Sequence, residues 1–265
     1  MPPPSAGPVG GGTAGPASGG PPPTTIRGPT AKSVLRLDWD YPVYTAPAQK
    51  TDRSSAKAAR QALSREKAFA FIAGDDPRPL LVLRECKVCN GTDDALLKGG
   101  IENEKTFLLS TWFHCVKVPV DVMEEDHPFH NLFTQDKTEH LFVASADGSN
   151  HDPLESQTSR TELWKSMLSL LGEEYKKKPD ASLKKMAKLL DKMDAADSKW
   201  NDLAARRDDI REEDGPKSRK LPKIEKELTK LEGERQELRA DLAKASALEL
   251  KKRREAAAAK EQAGV

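Results

Sequence analysis

Residues 80–89 read Leu-Leu-Val-Leu-Arg-Glu-Cys-Lys-Val-Cys, a short unbroken apolar run that leads almost directly into a Cys-x-x-Cys pair. A continuous run of this length suits a strand buried on both faces, as in a parallel or mixed sheet, better than a strand with one face in water. Beyond the pair, Thr92 or Asp93 can cap a short helix through Ala95, Leu96 and Leu97, which Gly99 and Gly100 would end. Strand, cysteine pair and helix in that order put the first sulfur near the positive end of a helix dipole, where thiolate is favoured over thiol. Cys86 and Cys89 are therefore the candidate reactive residues, the first to attack and the second to resolve a mixed disulfide.

The flanking sequence supplies further elements. Residues 34–44 (VLRLDWDYPVY) alternate apolar and polar side chains and are expected to form a strand at a sheet edge, where Pro42 is tolerated. An alanine-rich stretch over 54–73 predicts a helix ended by Gly74 and Pro77. Residues 107–112 fit either a helical turn or a strand. Residues 115–121 alternate as a strand, 141–144 form another buried apolar run, 146–149 signal a turn, and 159–175 form an amphipathic helix through Leu163, Met167, Leu170 and Leu171. Strands interleaved with helices imply an α/β fold, a sheet covered by helices.

Taken together, this order resembles the thioredoxin-like superfamily over about 120 residues. The resemblance rests on the leading helix, LLVLRECKVC, CVKVPVDV ending in Asp121, a short helical segment near 129–133, LFVASADG and the closing helix. It implies a thioredoxin-like domain over 33–175 with its core at 54–175, and a thiol-disulfide oxidoreductase or redox-responsive protein acting on protein thiols or disulfides, with no cofactor. Three positions depart from the family pattern. Glu85 stands where an aromatic residue usually precedes the first cysteine, and Thr138-Glu139-His140 stand where a cis-proline usually precedes the next strand. Gly99-Gly100 shortens the helix after the motif. These departures point to a rival reading, a non-catalytic scaffold that keeps the fold for binding. A third reading is a zinc site in which His114 and Cys115, with His127 or His130, join the cysteine pair. Against it, His114 and Cys115 should face opposite sides of a strand.

Composition limits what surrounds this domain. With 32% charged against 37% hydrophobic residues, the chain is thin for two full cores, so one domain with extended appendages is expected. Residues 1–32 are dominated by Pro, Gly, Ala, Ser and Thr and are expected to be a disordered tail. Residues 181–262 carry approximate heptads: Met186, Leu189, Met193, Ala196, Trp200, Leu203 and Ile210, then Leu221, Ile224, Leu228, Leu231, Leu238, Leu242 and Ala245. Arg207 and Arg235 interrupt the two halves, and Gly215-Pro216 separates them, which predicts an antiparallel coiled-coil hairpin. Self-association or docking of a protein partner through this hairpin is expected, because two narrow amphipathic helices bury little alone. Lys251 to Arg254 read as a solvated helix face, and the alanine-rich end should fray. A formal net charge of +1 and the lack of a recognisable motif argue against nucleic-acid binding. No apolar run approaches the roughly 20 residues of a membrane span, so a soluble, cytoplasmic protein is expected. Three cysteines do not make a disulfide framework.

Overall fold

The computed structural model describes residues 27–45, 61–85, 97, 101–133, 139–155 and 158–251. Its centre is a five-stranded mixed sheet built from β1 (Trp39–Asp40), β2 (Leu80–Arg84), β3 (His114–Val118), β4 (Leu141–Ala144) and β5 (Asp152–Leu154), in the order β1-β3-β2-β4-β5. β1, β3 and β2 run parallel, with Leu81 opposite Cys115 and Trp39 on its other side. β4 is antiparallel to β2, with Val82 opposite Phe142, and β5 is antiparallel to β4. The apolar run 80–83 occupies the central strand, and every residue of β2 is buried. The two-residue period then divides the core between the faces of the sheet.

One face carries Leu80, Val82, Val116, Val118, Phe142 and Ala144. It is covered by α2 (Arg65–Ala73), through Ala68, Phe69, Ile72 and Ala73, and by short 3-10 turns at Val120–Met123 and His130–Leu132. Pro119 ends β3 and caps the first of these turns, so the expected strand over 115–121 is shorter and Asp121 falls in a turn. α2 is capped by Ser64, whose hydroxyl accepts from the Lys67 amide; of the helix expected over 54–73, residues 54–60 lie outside the described residues.

The other face carries Leu81, Leu83, Cys115, Leu141 and Val143 beneath α3 (Glu104–Ser110) and α4 (Arg160–Glu174). Residues 107–112, open between helix and strand in the sequence, continue α3 to Ser110 and then turn. α4 begins with a complete capping box: the Ser159 hydroxyl accepts from the Glu162 amide, and the Glu162 carboxylate accepts from the Ser159 amide.

The heptads form two long antiparallel helices, α5 (Asp180–Glu213) and α6 (Leu221–Ser246), joined through Gly215 at φ +82°. At 34 residues α5 is about 51 Å long. The base of this hairpin joins the second core face: Met186, Leu189, Leu190, Met193, Ala196, Leu238 and Leu242 belong to the same cluster as Leu170 and Leu171. Farther out, Ile210, Leu221, Ile224 and Leu228 close a separate cluster with Trp200 and Leu203. After α6 the chain returns to α4, where Tyr175 pairs with Leu250 and the Trp112 indole donates to the Ser246 carbonyl at 2.6 Å. Among the described residues, no helix is long and apolar enough to cross a membrane.

The N-terminal expectations need correction. Residues 27–32, assigned to a disordered tail, include the helix α1 (Pro29–Lys32), with Thr30 and Ala31 buried against α5. The strand expected over 34–44 shrinks to Trp39–Asp40, because α1 and the turn after it take up the preceding residues. Residues 1–26 and 252–265 lie outside the described residues.

Candidate functional site

The parallel strands end together at Arg84 and Val118, and the start of β4 lies beside them. The Arg84 amide donates to the His140 carbonyl at 2.7 Å, and the Glu85 amide to the Val118 carbonyl at 2.9 Å. The strand period puts Arg84 and His140 on the same face as Val82 and Phe142. The Arg84 guanidinium lies against the His140 ring, with Nη2 3.0 Å from Nδ1, and its Nε donates to the Glu139 carbonyl at 3.3 Å. Burial and the Arg84 charge both push the His140 pKa down, so the imidazole stays neutral near pH 7. Beside it, Lys117 Nζ and a Glu85 carboxylate oxygen are 3.1 Å apart. A guanidinium delivered by the central strand favours the thiolate of any thiol brought near it.

Behind this end of the sheet lies a second polar pair. The Glu139 side chain is 1% exposed, and its Oε2 is 3.7 Å from His151 Nε2. The His151 ring packs 4.5 Å from the Phe142 ring and 6.3 Å from Phe69, centroid to centroid. Burial, with a smaller contribution from Arg65, lowers the His151 pKa from 6.5 to about 4. On acidification the unfolded chain therefore takes up this proton first, and the group subtracts stability as pH falls from 6.5 towards 4 and contributes nothing above that window. His151→Gln is expected to flatten the acid loss of stability across that window. Urea midpoints of the two proteins above pH 6.5 and near pH 4 test it, and parallel curves would mean that His151 protonates normally in the fold.

Cys86 and Cys89 lie outside the described residues; Glu85, which they follow, is the last described residue of β2's exit. Cys115 faces the apolar cluster under α3 and α4, and burial pushes its thiol up to about 12, which makes it a core residue. His114 turns to the other side, with Nε2 3.3 Å from an Asp40 carboxylate oxygen. His127 Nδ1 accepts from the Phe129 amide at 3.1 Å, and His130 begins a buried 3-10 turn. Among the described residues, no three His, Cys, Asp or Glu side chains gather as a metal-binding group.

Motif spacing had marked Glu139 and His140 only as replacements for a proline and gave no reason to single out His151. Its one signal was proximity to the turn residues 146–149, which fold it back over β4.

No protein-family model matches this chain, and comparison with curated proteins and with solved structures found no match.

Proposed function

We propose that the chain is a thioredoxin-like thiol-disulfide oxidoreductase, or a redox-responsive relative of that type. The observation that carries this reading is the strand order β1-β3-β2-β4-β5, with β4 alone antiparallel to the other four, combined with a Cys-x-x-Cys pair that follows the central parallel strand. Open α/β sheets bind and react at the carboxyl ends of their parallel strands. In the proposed cycle the Cys86 thiolate attacks one sulfur of a protein disulfide and expels the other as a thiolate. Cys89 then attacks Cys86 Sγ and releases the second substrate thiol. Two electrons pass from the dithiol to the substrate, and the Cys86–Cys89 disulfide forms.

The rival reading, a binding scaffold without turnover, is favoured by the residues before β4. Glu139 and His140 stand there in place of a proline, and no cis peptide occurs among the described residues. Assembly would then fall to the hairpin. Its large apolar side chains are turned inward, so a partner or a second copy would meet a charged surface.

Thiol trapping in graded dithiol buffers, with metal content measured on the same preparation, separates these readings. A reversible two-electron transition that disappears in Cys86→Ser is expected. Stoichiometric zinc would replace the proposal with a metal site, and thiols that never pair would leave the scaffold.

A further inference from the structure

A densely bonded polar cluster lies away from the sheet end, where residues 27–31 cross between α3 and α5. Arg27 reaches three carboxylates. Its Nε and Nη2 donate to Glu104 at 2.8 and 2.7 Å, and its Nη1 donates to Asp191 at 2.7 Å and to Asp194 at 2.6 Å. The Gly28 amide donates to the other Asp194 oxygen at 2.7 Å. A Cβ at position 28 would sit 2.5 Å from Asp197 Oδ2, so no larger residue fits without movement. Pro29 occupies the first turn of α1, where its missing N–H costs nothing. The Thr30 amide and hydroxyl donate to the two Asp197 oxygens at 2.8 and 2.7 Å, and Ala31 is fully buried. Four of the five positions are therefore read by their chemistry, a forked cation, no side chain, a hydroxyl and a methyl, and Pro29 suits the first turn of α1.

We propose that the cleft between α3 and α5 is a recognition groove for residues 27–31, and that seating this strap closes the polar side of the α3–α5 junction, whose apolar side is packed in the shared core. The charge arrangement supplies the reason. Glu104 comes from α3 while Asp191 and Asp194 come from α5, and Glu104 and Asp194 are largely buried. Like charges facing one another in a poorly solvated junction repel unless a cation lies between them. Among the described residues, Arg27 is the cation that pairs with all three. Asp197 differs, since it keeps Arg235 of α6 at 2.7 Å. Strap release would thus leave the hairpin's own ion pair intact while opening the α3–α5 junction, and the emptied groove would accept the same sequence in trans.

Amide hydrogen exchange on the full chain tests this. Arg27→Gln is expected to speed exchange about tenfold or more both in residues 27–35 and in α3 with the facing turns of α5. The triple variant Glu104→Gln, Asp191→Asn, Asp194→Asn should loosen the strap equally but leave α3 and α5 protected, because the repulsion has gone. A synthetic peptide TIRGPTAKS should restore protection to the Arg27→Gln chain, and the same peptide with glutamine for its arginine should not. The proposal is overturned if Arg27→Gln leaves the junction within about twofold of the parent. Equal loosening of the junction in both variants, or failure of the arginine peptide to restore it, overturns it as well.

Discussion

Asp197→Ala is expected to remove about 3–5 kcal/mol of stability, the range typical of a buried ion pair that loses one partner. Asp197 is 2% exposed and takes three contacts at once: the Thr30 amide, the Thr30 hydroxyl and the Arg235 guanidinium. Arg235 is 8% exposed at a heptad seam position, stacked 4.9 Å over the Trp200 ring, with a further contact to Glu232 at 3.2 Å. Without Asp197 a guanidinium stays buried with a half-exposed carboxylate as its remaining ion-pair partner, and two Thr30 donors lose their acceptor. Asp197→Asn keeps an acceptor but not the charge, so it should cost less, about 1–3 kcal/mol. The double replacement Asp197→Leu with Arg235→Met should recover the part of the loss due to the unpaired guanidinium, since an apolar pair of similar volume often replaces a buried ion pair at little cost, while the two Thr30 donors stay without their acceptor. Urea denaturation of the single and double variants gives the coupling directly. A single variant within about 1 kcal/mol of the parent, or a double variant as damaged as the sum of the singles, would show that the pair does not hold the two helices of the hairpin together.

Asp197 also marks the limit of what the sequence makes legible. The heptad leucines could be read because their partners repeat at fixed spacing: Leu221, Ile224, Leu228, Leu231, Leu238 and Leu242 are all buried where the pattern puts them. The strands over 80–83 and 141–144 could be read because a strand buried on both faces needs no alternation. The strap could not. Residues 27–32 have the composition of the tail before them, and what orders them is a set of carboxylates 77 to 167 positions away in the chain. The same holds for the sheet end. Arg84 and His140 meet because β2 and β4 pair antiparallel with Leu83 opposite Leu141, a register that no local pattern encodes. The short β1 is a related case, because an alternating sequence licenses a strand but pairing with β3 fixes its two residues. The cysteine pair, the clearest motif in the sequence, lies outside the described residues and is approached only through the strand that leads into it.

That strand depends on the opposite wall of its core, and Phe142→Ala is expected to cost a further large sum, about 3–5 kcal/mol. Phe142 is fully buried at the middle of β4, opposite Val82, with ring centroids 5.9 Å from Phe69, 5.5 Å from Phe133 and 4.5 Å from His151. Neighbours anchored in β2, α2 and the 130–132 turn cannot all collapse into the space, so the cavity term adds to the lost transfer energy. The same ring shields His151. Water entering the cavity would solvate the imidazolium, so the His151 pKa should rise from about 4 back towards 6.5, as seen by NMR titration of the ring. Phe142→Leu should keep most of the stability and most of the pKa depression. A large stability loss with the His151 pKa unmoved would mean that Phe69 and the β4–β5 backbone, not Phe142, exclude water from the Glu139–His151 pair. In that case the second polar pair behind the sheet end would be a rigid feature of the β4–β5 strand pair, independent of the aromatic core beneath Arg84 and His140.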